Sequence, residues 1–307
     1  MTHLPSTPRP RSFVLVSVAG SMLLGSLGIS IATVALPPLS RSFAAPIADV
    51  QWVVLAYLLA VTASIVVAGR LGDLFGHGRT LFAGLVVFTL ASIACTFAPT
   101  LPVLIAARLV QGLGGAALMA MPVSIIRDTI SKERIGSAMG LLGTMSAVGT
   151  ALGPSLGGIL MVAFGWRAAF LALAGVAALL LIVATFSVPR NINPAGRAVK
   201  GLDLVGMVLL ALSLTTYSLA MSGSKAGLAV DQRLLLPIAL AAMLAFVLFE
   251  RRCGSPLVPI PLLHDPIIGP SLATNFLVAT VMMSTLVVGP FFLAFGLGLN
   301  DAMVGLV

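Results

Sequence analysis

Nine long apolar runs alternate with short polar stretches along the chain. A helix rises about 1.5 Å per residue, so about 20 apolar residues cross a hydrocarbon core about 30 Å thick. A helix also satisfies its own backbone hydrogen bonds, which lipid cannot do. The predicted membrane spans are 13–38, 51–69, 80–98, 102–126, 137–163, 167–188, 202–222, 233–250 and 267–296. The pattern therefore predicts an all-α integral membrane protein.

The composition agrees with a chain that lies in a lipid bilayer. Of the 307 residues, 59% are hydrophobic and 8% are charged, whereas soluble proteins have about 25% charged residues. The net charge of +8 comes with only 6% aromatic residues and without long basic runs, so we expect no nucleic-acid partner. The sequence has no metal-ligand spacing, nucleotide-binding loop or catalytic triad. We therefore expect neither an enzyme nor a bound metal or cofactor.

The basic residues predict the orientation of the chain. If the N-terminus is cytoplasmic, twelve of the 17 basic residues fall on the cytoplasmic side, and Arg108 falls within a span. The other four lie outside: Arg41, Arg167, Lys225 and Arg233. Because cytoplasmic loops collect lysine and arginine, this bias favours a cytoplasmic N-terminus.

A charged stretch rich in glycine, GRLGDLFGHGRT, separates the second and third spans. Gly69, Gly72 and Gly76 are expected to form a tight cytoplasmic turn and to allow close helix approach. Asp73 and Arg79 would then sit at the membrane edge, where they could bond each other or a facing helix end.

The fourth span, RLVQGLGGAALMAMP, places Arg108 and Gln111 one helical turn apart. Arginine within a bilayer is costly and is usually functional. Because Arg108 lies about two turns from the outer surface, its side chain could instead extend outward to water. The pair is a candidate part of a coupling or substrate pathway.

The fifth span, GTALGPSLGGIL, repeats glycine every four residues at Gly149, Gly153 and Gly157, followed by Gly158. Such a stripe allows another helix to pack closely, and we expect the opposing helical bundle to do so. Pro154 lacks an N–H group and is expected to bend or loosen the helix.

These three stretches resemble motifs of the major facilitator superfamily, in the expected spans and order. The first is similar to its signature loop, which implies a gate that latches the outward-facing state. The second resembles Arg-x-x-Gln-Gly, whose arginine the family implicates in proton coupling. The third resembles Gly-x-x-x-Gly-Pro-x-x-Gly-Gly, which is typical of exporters. TVALPPL and FGWRAAF are also similar to the drug:proton antiporter branch.

The resemblance implies a domain organisation of five segments, in which nine spans favour the form with fourteen helices. A family member with twelve helices is the alternative. The predicted segments are a cytoplasmic tail (1–12), a six-helix bundle (13–188), a cytoplasmic loop (189–201), two linking helices (202–250) and the incomplete start of a second bundle (251–307). NDAMVGLV would begin a tenth helix.

One position departs from the family pattern. The antiporter branch commonly has an aspartate in the first span, where alignment on Ala35-Leu36-Pro37 places Gly28, with Ser30 in place of a threonine. None of the nine acidic residues falls in the middle of a predicted span. A proton carrier needs a group that titrates, so a coupling acid would lie elsewhere, for example at Asp49.

The resemblance implies a secondary active transporter of the drug-efflux type. It would export small, amphipathic molecules from the bacterial cytoplasm across the inner membrane by alternating access. Protons are candidate coupling ions, and a monomer is expected. The alternative is a non-transporting protein, either a truncated remnant or a sensor built on a transporter fold.

Overall fold

The computed structural model describes residues 11–187, 204–222, 232–252, 265–266 and 268–296. Within these ranges the chain forms eleven α-helices. They are α1 (Arg11–Val34), α2 (Leu36–Phe43), α3 (Ile47–Val50), α4 (Trp52–Phe75), α5 (His77–Thr96), α6 (Leu101–Thr129), α7 (Ile135–Phe164), α8 (Trp166–Ser187), α9 (Leu204–Ser222), α10 (Gln232–Glu250) and α11 (Ile268–Phe291). A short 3-10 turn precedes α7, and a π-helical turn follows α11.

Six stretches of the described chain are long and apolar enough to cross a membrane, and they coincide with the first six predicted spans. They are Phe13–Val34, Ile47–Phe75, His77–Thr96, Leu101–Thr129, Lys132–Phe164 and Trp166–Ser187. The last three predicted spans coincide with α9, α10 and α11, whose apolar stretches are shorter. The predicted tail, the 189–201 loop and NDAMVGLV lie wholly or mostly outside the described residues.

The surface of the helices is apolar, as a bilayer requires. Phe97, Phe164 and Phe186 are 74%, 76% and 76% exposed, and many leucines and valines on the same helices are also exposed. A water-soluble protein does not leave such extensive apolar surface open. The all-α membrane fold predicted from the sequence is confirmed.

Two of the long helices end at a glycine, and in each case this single residue is the whole connection to the next helix. Gly76, between α4 and α5, has φ 95°, and Gly165, between α7 and α8, has φ 80°. Residues that carry a side chain rarely adopt such positive φ angles, whereas glycine does so without a steric penalty. Each glycine therefore reverses the chain at once.

The core of the first eight helices is built around α1 and α6, the two helices with which most of the others pack. α1 packs against α6, α7 and α8, while α4 and α5 both pack against α6. The buried side chains form one continuous cluster that reaches from Val14 in α1 to Ala184 in α8. α9 and α10 pack against each other, α9 also contacts α4, and α11 contacts α1.

Candidate functional site

Arg108 is fully buried, which overturns the alternative that its side chain extends outward to water. Its Nε–H donates to the carbonyl oxygen of Val53 in α4 at 2.8 Å. Its Nη1–H donates to Oε1 of Gln111, one turn along α6, at 2.5 Å. Both acceptors are neutral, and Nη2 has no hydrogen-bond partner among the described residues. Burying a charge among neutral groups is costly, so this arrangement points to a function beyond packing.

Gln111 carries the hydrogen-bond network on from α6 to α5. Its Nε2–H donates to Oγ of Ser92 at 2.6 Å, and the Ser92 hydroxyl donates to the carbonyl oxygen of Phe88 at 2.6 Å. Gln111 and Ser92 are both fully buried. The amide of Gln111 and the hydroxyl of Ser92 therefore both have partners, as buried polar groups require, whereas Nη2 of Arg108 does not.

Tyr57 of α4 forms the floor beneath the guanidinium of Arg108. The Cζ atom of Arg108 lies 4.3 Å from the centre of the Tyr57 ring, a cation–π distance. The Tyr57 hydroxyl donates to the carbonyl oxygen of Gly25 in α1 at 3.1 Å, and its ring meets Phe88 edge to face. We refer to Arg108, Gln111, Ser92 and Tyr57 as the arginine cluster. It joins α1, α4, α5 and α6.

The glycines that follow Arg108 allow this approach of helices. A Cβ atom at Gly112 would lie 2.6 Å from the backbone oxygen of Tyr57, and one at Gly115 would collide with the Tyr57 hydroxyl. A Cβ atom at Gly114 would lie 2.7 Å from the backbone nitrogen of Phe88 in α5. In the spacing Arg-x-x-Gln-Gly, the arginine and the glutamine thus make the polar contacts, while the glycine and those that follow it allow the backbones of α4 and α5 to approach α6.

Gly28, the position where the resemblance expects an acid, lies against the arginine cluster. A Cβ atom there would lie 3.2 Å from Cζ of Phe88 and 3.4 Å from the hydroxyl of Tyr57. A side chain at this position would therefore meet the ring on which Arg108 rests. Sequence reasoning identified Arg108 and Gln111 but missed Tyr57 and Ser92, because an aromatic ring and a serine in an apolar span are common.

We expect Tyr57 variants to separate the two roles of this side chain. Tyr57→Phe loses the bond to Gly25, which costs about 1 kcal/mol of folding free energy. Tyr57→Leu also loses the ring beneath Arg108 and costs about 2 kcal/mol more. Chemical unfolding in detergent measures the free energy of unfolding of each variant. Equal stability of Tyr57→Leu and Tyr57→Phe would contradict the prediction. Tyr217→Phe is a matched control, since Tyr217 in α9 is 52% exposed.

The glycine stripe, formed by Gly149, Gly153 and Gly157 of α7, packs against α1. A Cβ atom at Gly149 would lie 2.5 Å from the backbone oxygen of Leu23, and one at Gly153 would collide with Oγ of Ser30. The expected close helix contact is present, but the partner is α1 of the same helix group. The expectation that the stripe meets an opposing bundle is corrected.

Serine hydroxyls reinforce the contact between α1 and α7. Ser30 donates to the carbonyl oxygen of Gly149 at 3.0 Å, and the hydroxyls of Ser26 and Ser146 lie 2.7 Å apart. Small residues and hydroxyls together stabilise helix pairs in lipid, where apolar burial adds little. α7 continues helically through Pro154, and Gly158 is buried beside the stripe.

The stretch GRLGDLFGHGRT, which was expected to form a tight turn between the second and third spans, is helical except at Gly76. Gly69 to Phe75 continue α4, and α5 begins at His77, so only Gly76 reverses the chain. Gly72 is a point of close approach, because a Cβ atom there would lie 2.7 Å from Sδ of Met121. Gly69 is not a point of close approach, since a Cβ atom there would have no described neighbouring atom within 4 Å.

Asp73 bonds a residue that sequence reasoning did not single out. His77 lies between two carboxylates: its Nδ1 is 2.6 Å from Oδ2 of Asp128 and its Nε2 is 3.4 Å from Oδ1 of Asp73. We refer to these three residues as the histidine bridge. The spacing of four residues between Asp73 and His77 could have predicted their contact, because such residues lie on one face of a helix. Asp128 is 51 residues from His77, so no local spacing predicts its contact. Arg79 lies exposed in the first turn of α5.

Comparison with known proteins identifies what these motifs belong to. The chain is 30% identical over 285 residues to the tetracenomycin C resistance and export protein of Streptomyces glaucescens, covering 92% of this chain and 52% of that protein. It is 31% identical over 303 residues to the multidrug resistance protein Stp of Mycobacterium tuberculosis, covering 97% of this chain and 56% of Stp. The chain thus spans about half the length of these relatives.

Solved structures show the same fold at low sequence identity. A bacterial homolog of the human lysosomal transporter Spinster superposes with a TM-score of 0.53 at 17% identity, covering 82% of this chain and 64% of that one. The POT family transporter PepTSo superposes with a TM-score of 0.56 at 14% identity, covering 78% and 52%. Residues 18–307 match the family described as Major Facilitator Superfamily. The chain therefore belongs to the Major Facilitator Superfamily, a family of membrane transporters rather than of enzymes.

Proposed function

We propose that the protein carrying this sequence is an exporter of the drug-efflux type, which moves small, amphipathic molecules out of the bacterial cytoplasm by alternating access. The observation that carries the proposal is the contact between the glycine stripe and α1, because this stripe is the motif typical of exporters in the family. Two relatives named for resistance and export support the same reading.

The packing around α1 suggests how such a transporter would move. α1 contacts α7 through glycine and serine, and it also contacts α11, the first helix of the predicted second bundle. The α1–α11 contact would therefore lie between the two predicted bundles. Two bundles that rock around a site near the middle of the membrane would use such a contact.

The placement of the later helices favours a parent with fourteen helices. α9 and α10 pack against each other and reach the first bundle through α4, whereas α11 reaches it through α1. This is the arrangement expected if residues 202–250 are two linking helices and the second bundle begins after them. A twelve-helix protein would instead use α9 to open the second bundle.

Proton coupling, if it drives export, would need a titratable group other than the one common in the antiporter branch. Gly28 occupies that position and carries no side chain to titrate. The arginine cluster beside it does not replace the acid, because arginine keeps its proton. We place the protein in the inner membrane with a cytoplasmic N-terminus, on the strength of its basic residues.

An export assay tests the proposal directly. The full-length protein is expressed in bacteria that lack their own efflux pumps, and the cellular accumulation of amphipathic fluorescent dyes is measured. We expect lower accumulation than in cells with the empty vector. Equal accumulation for every dye tested, with the protein abundant in the membrane, would favour a non-transporting sensor or remnant.

In the same assay we expect Asp73→Asn to slow export about two- to fivefold at unchanged membrane abundance. The substitution keeps the shape of the side chain but removes its charge from the histidine bridge, and exposed ion pairs contribute only about 0.2–1 kcal/mol. Glu133→Gln is the control, because Glu133 is an exposed acid in the turn that follows α6. Equal slowing in both variants would assign the effect to surface charge rather than to the bridge.

A further inference from the structure

The positive charge of Arg108 is enclosed by the first bundle itself. The side chain is fully buried, and its two hydrogen bonds go to neutral oxygens of Val53 in α4 and Gln111 in α6. The rings of Tyr57 and Phe170 lie 4.3 Å and 5.9 Å from its Cζ atom. None of the described carboxylates accepts a hydrogen bond from it, and its Nη2 group donates to no described residue. The charge is therefore solvated by neutral groups but not compensated.

The carboxylates in the described part of the first eight helices lie at helix ends or in turns. They are Asp49 in α3, Asp73 in the last turn of α4, Asp128 in the last turn of α6 and Glu133 in the turn before α7. Water and salt screen charges at such positions over about 8–10 Å. Arg108 lies about two turns inside α6, where the effective dielectric constant is about 20 rather than about 80. The interior of this bundle therefore has a net positive potential.

Helix α1 links the arginine cluster to the predicted boundary between the two bundles. It meets Tyr57 at Gly25 and Gly28, and it also contacts α11, the first helix of the predicted second bundle. Packed helices lie about 8–10 Å apart, so a molecule that passes between the bundles comes within about 10 Å of the cluster. Two unit charges at that distance in a protein interior change an equilibrium constant about tenfold. The charge of Arg108 can therefore act on such a molecule without touching it.

We propose that the substrates are amphiphiles that carry a negative charge, and that Arg108 disfavours lipophilic cations on the same pathway. This assignment rests on the proposed export function and narrows it to one charge class. The buried guanidinium attracts an anion and repels a cation, whatever the shape of either. Its remaining N–H groups, on Nη2, provide donors for a carboxylate or sulfonate that reaches the cluster.

Dye binding to the purified full-length protein tests the charge preference without requiring transport. The probes are fluorescein, an anion, and tetramethylrhodamine ethyl ester, a cation with a related xanthene ring. Fluorescence anisotropy in nanodiscs of phosphatidylcholine, which has no net charge, measures the Kd of each dye. We expect the Kd of fluorescein to be lower by about tenfold or more. Equal Kd values, or no saturable binding of either dye, would overturn the proposal.

Salt separates the buried charge from the exposed basic residues of the protein. At about 0.5 M salt, attraction to exposed charges is screened within a few ångström, whereas a buried charge is screened much less. We therefore expect the preference for fluorescein to persist in high salt. A preference that disappears there would assign the effect to the protein surface and contradict the role of Arg108.

Substitutions at Gly28 test whether the preference originates at the arginine cluster. A Cβ atom there would lie 3.4 Å from the Tyr57 hydroxyl, so an aspartate would place its carboxylate beside the ring on which Arg108 rests. Gly28→Asp should reduce the preference about tenfold, because it offsets the charge. Gly28→Asn, which has the same shape, should retain it, as should Arg167→Gln, which removes an exposed arginine. Equal preferences in Gly28→Asp and Gly28→Asn would count against the cluster as its origin.

Efflux of the same two dyes separates this assignment from the proposed function. Cells that export the cation as fast as the anion would contradict the charge class and leave export standing. A protein that binds fluorescein selectively in high salt but exports neither dye would contradict export and leave the charge preference standing. The binding of the unsubstituted protein in high salt remains decisive even if Gly28→Asp does not fold.

Discussion

Replacing Gly153 by leucine is expected to reduce export about tenfold or more and to lower the thermal stability of the protein. Even the Cβ atom of the new side chain would fall on Oγ of Ser30 and lie 2.9 Å from the backbone nitrogen of Ile31. Overpacking of this kind typically costs about 1–3 kcal/mol, and backbone atoms cannot move aside as a flexible side chain can. α7 would have to separate from α1.

Controls for Gly153→Leu distinguish packing from helix propensity. Leucine is a better helix former than glycine, so propensity alone predicts a gain in stability. Gly143→Leu on the same helix meets no described atom within 4 Å at Cβ and should unfold at the parent temperature or above. Gly153→Ala combined with Ser30→Gly should recover part of the loss seen in Gly153→Ala. Parent-like export and Tm in Gly153→Leu would show that the close contact is not needed.

The second large effect is expected at Arg108. Arg108→Lys should reach the membrane normally yet lose most export, and Arg108→Ala should do no worse. A lysine ammonium is a single point donor, whereas the arginine fork reaches Val53 and Gln111 at once while its flat face rests on Tyr57. Losing one hydrogen bond from a charged group costs about 1.5–3 kcal/mol, which is about tenfold or more in rate if the cluster acts during transport.

Arg167→Lys is the matched control for Arg108→Lys. Arg167 also lies 4.3 Å from an aromatic centre, that of Trp166, and donates to the backbone oxygen of Ala98 at 3.3 Å. It is exposed, however, so water can replace what lysine fails to provide. We expect near-parent export for this variant. Parent-like export in Arg108→Lys, measured at equal membrane abundance, would show that only the positive charge at this position matters and not the planar shape of the guanidinium.

The ends of the helices show how far a hydropathy pattern reaches. The predicted second span ends at residue 69, but α4 continues to Phe75, because backbone hydrogen bonding does not stop where charged residues begin. Gly76 stops it instead, through a φ angle that other residues avoid. Apolar length thus predicts that a segment spans the membrane, and glycine geometry determines where the helix ends.

The sequence by itself determined the membrane setting, the number and order of the first six membrane-spanning stretches, and the family motifs within them. These follow from local properties: apolar length, glycine spacing and the cost of burying charge. The tertiary structure alone decided where each motif points. Whether Arg108 meets water or Tyr57, and whether the glycine stripe meets α1 or another bundle, depends on the rotation of each helix about its axis. Contacts between residues far apart in the chain, such as His77 with Asp128, fix that rotation, and no local pattern encodes them.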